Sequence, residues 1–163
     1  MYRYIYSGLC FLLSASIPAV SAQSTGKPFF KISSSDGYGL SSNLVTSIIQ
    51  DQKGYLWVGT ANGLQRFDGN KFMWPQNLGS LPQPLPEGQV NQLVKAEGGK
   101  FWILMQDPAE VGLFDPSTLA YRKIPLQPAQ KFPARAEYKL WTDSHGQTYL
   151  HVLRHPKTLV YDT

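Results

Sequence analysis

From Val45 onward, short apolar runs alternate with Gly- and Asp-rich turns at a spacing too tight for helices. Val45–Gln50 (VTSIIQ) is rich in β-branched residues, the mark of a strand that packs on a pleated surface. Asp51-Gln52-Lys53-Gly54 follows, with Asp first and Gly fourth, as a type I turn prefers. Tyr55–Thr60 (YLWVGT) predicts a second strand, Asn62-Gly63 a second turn and Leu64–Phe67 a third strand. Asp68-Gly69 is a strong hairpin signal, and Lys71–Trp74 completes a fourth strand. Residues 40–72 therefore predict a four-stranded antiparallel meander. No stretch holds a helical period over a dozen residues.

The pattern returns twice. Trp57 falls on Trp102 at a shift of 45 (102 − 57), which also places Gly54 on Gly99, Val58 on Ile103, Ile48 on Leu93 and Val45 on Val90. Phe67-Asp68 meets Phe114-Asp115 at a shift of 47, so the second copy has two extra residues between its second and third strands. A further 47 carries Gly99 to Gly146, Phe114-Asp115 to Tyr161-Asp162, Trp102 to Tyr149 and Leu93 to Leu140. Each copy reads as a β run, a polar turn ending in Gly, an aromatic-centred strand and an aromatic-Asp pair. A period of about 40–45 residues with four strands is that of a β-propeller blade, a small sheet that must stack on neighbours to bury its two faces.

The first copy resembles the two-component regulator propeller repeat. The match lies in Gly39-Leu40-Ser41 with Asn43 and Val45, in Gln50-Asp51 and Gly54, in Leu56-Trp57-Val58-Gly59-Thr60, and in Gly63-Leu64 with Phe67-Asp68-Gly69. The second copy keeps Gly99, Trp102 and Phe114-Asp115 but has Ala96 for the turn Asp and Leu104-Met105 for Gly-Thr; the third keeps Asp143, Gly146 and Tyr161-Asp162 with Tyr149 for Trp. The resemblance implies an all-β chain, a partial propeller of about three four-stranded antiparallel blades at the N-terminal end of a larger ring. It further implies a periplasmic sensory segment of a two-component signal-transduction protein, responding to a glycan-type cue and controlling a downstream histidine kinase. An exported propeller enzyme acting on polysaccharide, and a binding scaffold without signalling output, stay open beside it.

The flanks complete the expected layout. Residues 1–22 read as a cleaved signal peptide: Arg3, an apolar run through Val20 broken by Ser14, Ser16 and Pro18, then Val20-Ser21-Ala22. The mature chain would then have 141 residues (163 − 22) and lose the lone Cys10, leaving no disulfide and no thiol site. Residues 23–39 form a leader with a lone strand at Phe29–Ser33, which by analogy with ring propellers completes the last blade. The blades are expected at 40–78, at 79–124 with a Pro-rich leading loop, and at 125–163. Gln76–Gly88 and Pro125–Arg135 are irregular linkers, since proline cannot donate to a sheet ladder. About three blades cannot close a ring, so the chain is expected to be the N-terminal fragment of a longer protein, with a truncated gene as the alternative. The resemblance implies a parent with further blades, a membrane span and a cytoplasmic output region, anchored in the inner membrane.

Composition adds little that changes this picture. Hydrophobic residues make up 42% and charged residues 16%, which argues against disorder and against long surface helices. The net charge of +4 comes from scattered Lys and Arg without a basic cluster, so no nucleic-acid partner is expected. Asp51, Asp68, Asp115, Asp143 and Asp162 recur by repeat at turns, which points to backbone capping rather than to one special acid–base pair. His145, His151 and His155 lack further ligands in any metal-binding spacing. No catalytic residue, cofactor or metal is expected. Trp57, Trp102 and Tyr149, at one repeat position with Gly54, Gly59, Gly99 and Gly146 around them, read as inter-blade structure. Trp74 and Trp141 fall outside that register and are the candidate ligand-stacking aromatics for an oligosaccharide. The remaining blades and C-terminal regions of the parent, and a homodimer of it, are the other expected partners.

Overall fold

A computed structural model describes residues 29–80, 83, 85–106, 110–125, 137–153 and 158–161, the last stretch by its backbone. The expected signal at 1–22, Cys10, His155, Asp162 and most of the 125–135 linker lie outside the described residues. The chain divides at Phe30 into two units. Of the first, only Phe29 and Phe30 are described, and both rings are exposed. The second, Lys31–Thr163, carries eleven described strands, and every described strand pairing in it is antiparallel.

Strands form where the β-branched and aromatic runs stand and stop where Asp, Gly or Pro intervene. The first sheet takes β1 (Val45–Gln50), β2 (Leu56–Thr60), β3 (Gly63–Phe67) and β4 (Phe72–Met73) in that order. The second takes β5 (Val90–Lys95), β6 (Phe101–Met105), β7 (Glu110–Asp115) and β8 (Ala120–Ile124). The third takes β9 (Tyr138–Thr142), β10 (Thr148–Val152) and β11 (Thr158–Tyr161). Register repeats with sequence: Ile49 pairs Trp57, Val94 pairs Trp102 and Trp141 pairs Tyr149. Trp141 thus occupies the ladder position of Ile49 and Val94.

Two expectations need correction. Phe29–Ser33 forms no strand, and at its end Asp36 accepts from the Ser33 amide at 2.7 Å to close a turn. The fourth strand spans Phe72–Met73 rather than reaching Trp74, because Pro75 opens a 3-10 turn at Pro75–Asn77.

Sheets stack face to face through two apolar layers. Trp57 and Ile49 of the first sheet pack with Phe101, Ile103 and Phe114 of the second; Trp57 meets the Phe114 ring edge-on with centroids 5.0 Å apart. Trp102 and Leu104, on the opposite face of the second sheet, pack with Leu140 and Leu150 of the third. The aromatic of each sheet therefore faces the sheet that follows. Its ring is fully buried in both cases, as the alternation of a strand between two layers requires.

The first strands of the sheets, β1, β5 and β9, lie side by side and are joined by side chains rather than by a ladder. Ser47 Oγ accepts from the Leu93 amide at 3.0 Å. Gln92, at the equivalent position one repeat on, accepts from the Leu140 amide at 2.8 Å and donates to the Leu140 carbonyl at 2.7 Å. The turns latch in the same direction. Gln52 lies over Gly99 and Glu97 over Gly146, so closely that a Cβ on either glycine would come within 2.6 Å and 2.7 Å of that side chain.

Candidate functional site

An antiparallel meander sends alternate connections to opposite edges. The β1–β2, β3–β4, β5–β6, β7–β8 and β9–β10 turns share one edge; the β2–β3 turn and the long β4–β5 connection share the other. These two edges have different chemistry.

On the first edge the aspartates cap their own turns. Asp51 Oδ1 accepts from the Lys53 and Tyr55 amides, both at 2.9 Å. Asp68 accepts from Asn70 and Lys71, Asp115 from Ser117, and Asp143 from His145 and Gln147. The Lys71 and Asn70 amides hold the Asp68 carboxyl below its ordinary value. Burial pushes the Asp115 and Asp143 carboxyls up, but the Ser117 bonds at one and the His145 amide with the Tyr149 hydroxyl at the other outweigh it, so both are lowered. One oxygen of each carboxylate is committed to its own turn's backbone, which makes these aspartates turn closures rather than acids or bases poised for substrate.

The opposite edge opens a cleft of about 470 Å³ between the first and second sheets. Its floor is apolar, from Leu64, Val90, Ile103 and Met105, and Trp74 forms a wall. Trp74 is extended (φ −72°, ψ 145°) just ahead of buried Pro75, so the chain turns where the ring meets the cleft. Gly63 (φ +121°) lets the ring come close: a Cβ there would stand 3.2 Å from Trp74 Cζ3. Asn62 is fixed by donating to the Ser41 carbonyl at 2.7 Å. The side chains of Trp74, Gln76 and Glu87 make no hydrogen bond among the described residues and line the mouth. Size, an aromatic wall and a few unengaged polar groups are the attributes of a small-molecule binding site.

The turn-and-strand grammar that frames this cleft is a known one. Residues 39–62 match the family model of the two component regulator propeller. No curated protein matches the chain. Among solved structures, the extracellular domain of BT4673 from B. thetaiotaomicron, assigned as a hybrid two component system, superposes with a TM-score of 0.57 at 21% identity, over 80% of this chain and 18% of its own. The corresponding domain of BT3049 from the same organism, also assigned as a hybrid two component system, gives 0.55 at 23% identity, over 68% and 16%. At these identities the likeness is one of fold: the sheets are part of a propeller, and the chain spans about a sixth of the length of those domains.

The cleft uses the end of the propeller-matched stretch, the connection after β4 and the second sheet, which is why sequence reading reached Trp74 and missed the rest. Gly63 looked like a turn residue, Glu87 and Gln76 like linker, and Met105 like a departure from the repeat's Gly-Thr. The second candidate aromatic, Trp141, is not brought to the cleft. It stacks on Tyr149 with centroids 4.2 Å apart and planes at 13°, and is 45% exposed on the third sheet. His145 sits in the Asp143–Gly146 turn and His151 in β10 opposite Lys139. Among the described residues no group of three His, Cys, Asp or Glu could hold a metal, and no helix is long and apolar enough to cross a membrane.

Proposed function

We propose that this chain is part of an exported sensory propeller that recognises a saccharide cue and controls a histidine kinase in its parent. The observation that carries the reading is the Trp74-walled cleft between the first two sheets, on the edge that the capping aspartates leave free. A half-buried indole beside unengaged amide and carboxylate groups suits a pyranose, which offers an apolar face and a hydroxyl rim. The family match at 39–62 and the fold shared with extracellular domains of two component systems support a signalling role over an exported enzyme. So does the lining, where Glu87 is the sole carboxylate among the described residues and a glycosidase would need a pair.

Because the cleft is walled by two sheets, a ligand that prefers one spacing of them shifts the population toward it. That shift would pass along the stacked sheets to further blades and, across the membrane, to the kinase. Titration of the chain with neutral oligosaccharides, followed by calorimetry, tests the reading: binding lost in Trp74→Ala but kept in Trp141→Ala supports it. Binding that survives Trp74→Ala places the site elsewhere. The reading frame beyond residue 163 supplies an independent check, and a stop codon without any membrane span would sink the signalling role.

A further inference from the structure

Resting on the saccharide reading above, we infer that Glu87 makes the cleft select its ligand by charge, admitting an ammonium-bearing sugar unit and turning away carboxylated or sulfated ones. Among the described residues that line the cleft, Glu87 is the single ionisable side chain. None of those lining residues is lysine, arginine or histidine, although the whole chain carries 15 Lys and Arg against 11 Asp and Glu. Among the described residues Glu87 has no ion-pair partner; the described salt bridge is Lys123 to Glu110, on the second sheet.

Trp74 acts in the same direction. An indole face carries negative electrostatic potential and attracts a cation within about 6 Å of the ring. An anion entering the cleft would meet that face, a carboxylate and a hydrocarbon floor of Leu64, Val90, Ile103 and Met105. It would lose hydration and find no cation in return. An ammonium finds both an aromatic face and a carboxylate. Glu87 itself is exposed, so its share is that of a surface pair rather than a buried one.

The test is titration calorimetry of the chain at low salt with three β-linked tetramers, of glucosamine, glucose and glucuronate. The expected order is glucosamine over glucose by about fivefold, with glucuronate weakest. Glu87→Gln, an exposed change that leaves the core alone, should cut the glucosamine preference by about threefold, and added salt should do the same to the parent chain. Glucuronate binding best, or ratios unmoved by Glu87→Gln, would overturn the charge rule while leaving the saccharide reading standing. Silence from all three tetramers would remove the saccharide reading and this inference with it.

Discussion

The indole N–H of Trp57 donates to Asp51 Oδ2 at 2.8 Å, so one carboxylate both closes a turn and anchors the ring that fills the space between two sheets. The arrangement recurs at the same six-residue spacing in the third sheet, where the Tyr149 hydroxyl donates to Asp143 Oδ2 at 3.0 Å. In the second sheet Ala96 stands at the Asp position, and the turn is closed instead by a 3-10 turn at Glu97–Gly99. Asp51→Ala should therefore cost about 1–3 kcal/mol, for two turn amides and an indole that lose a charged acceptor. Trp57→Ala should cost about 3–5 kcal/mol for the cavity it leaves. Urea unfolding of the two single variants and the double variant should show a shortfall from additivity, since they share one bond. Full additivity would mean that the hydrogen bond carries no weight.

Gly99 is constrained twice. Its φ of +76° disfavours any side chain, and a Cβ would sit 2.6 Å from the Gln52 amide. Neighbouring Gly98 also has positive φ (+63°) but open space around it. Gly98→Ala should cost about 1 kcal/mol, the backbone penalty alone. Gly99→Ala should cost more, and the excess should vanish in a Gln52→Ala background while the backbone part stays. Equal losses at the two glycines would show that Gln52 simply swings away.

The strands of the first sheet were legible because they are short β-branched or aromatic runs separated by Asp-x-x-Gly, Asn-Gly or Asp-Gly, signals that act locally. Val45–Gln50 needed no tertiary information to be read as a strand. The repeat made the sheet stacking legible too, since Trp57 and Trp102 at one register must face the same way along the stack. What stayed hidden was long-range. Ser47 and Gln92 look like polar interruptions of a strand until β5 and β9 lie beside them, and Glu87 looks like linker until the second sheet supplies a floor. Phe29–Ser33 shows the converse: a β-branched and aromatic pattern alone does not make a strand, since pairing is not set locally.

Acid should weaken the fold from the turns outward. The Asp36, Asp68, Asp115 and Asp143 carboxyls are all held below their ordinary value, by local amide and hydroxyl bonds that outweigh burial at the last two. A carboxyl depressed in the folded state contributes stability that is fully present above its unfolded pKa of about 3.9. That contribution is lost as pH falls through the lower folded value. The melting temperature should accordingly be flat from about pH 7 to pH 5 and fall below about pH 4. Asp68→Asn should lower it near neutrality and shallow the acid limb. An acid limb as steep in that variant as in the parent would show that Asp68 has no part in it.

Gln92 offers the sharpest test of how the sheets hold together. Its amide does for β5 and β9 what a ladder would do within a sheet, pairing both the N–H and the C=O of Leu140, itself fully buried. Gln92→Ala would leave two backbone groups at a partly buried site without partners, a cost of about 1–3 kcal/mol each if no water reaches them. The loss should be local, because the apolar layer of Trp102, Leu104 and Leu150 remains. Hydrogen exchange should then show faster opening at Leu140 and its β10 neighbours while amides of β1 and β2 keep their protection. Ser47→Ala should produce a smaller version between the first and second sheets, since the hydroxyl is held at 3.0 Å by the Leu93 amide but reaches the Leu93 carbonyl at only 3.5 Å. Uniform loss of protection in Gln92→Ala would mean that the three sheets open as one cooperative body. In that case the clasp adds to global stability without controlling the spacing of neighbouring sheets.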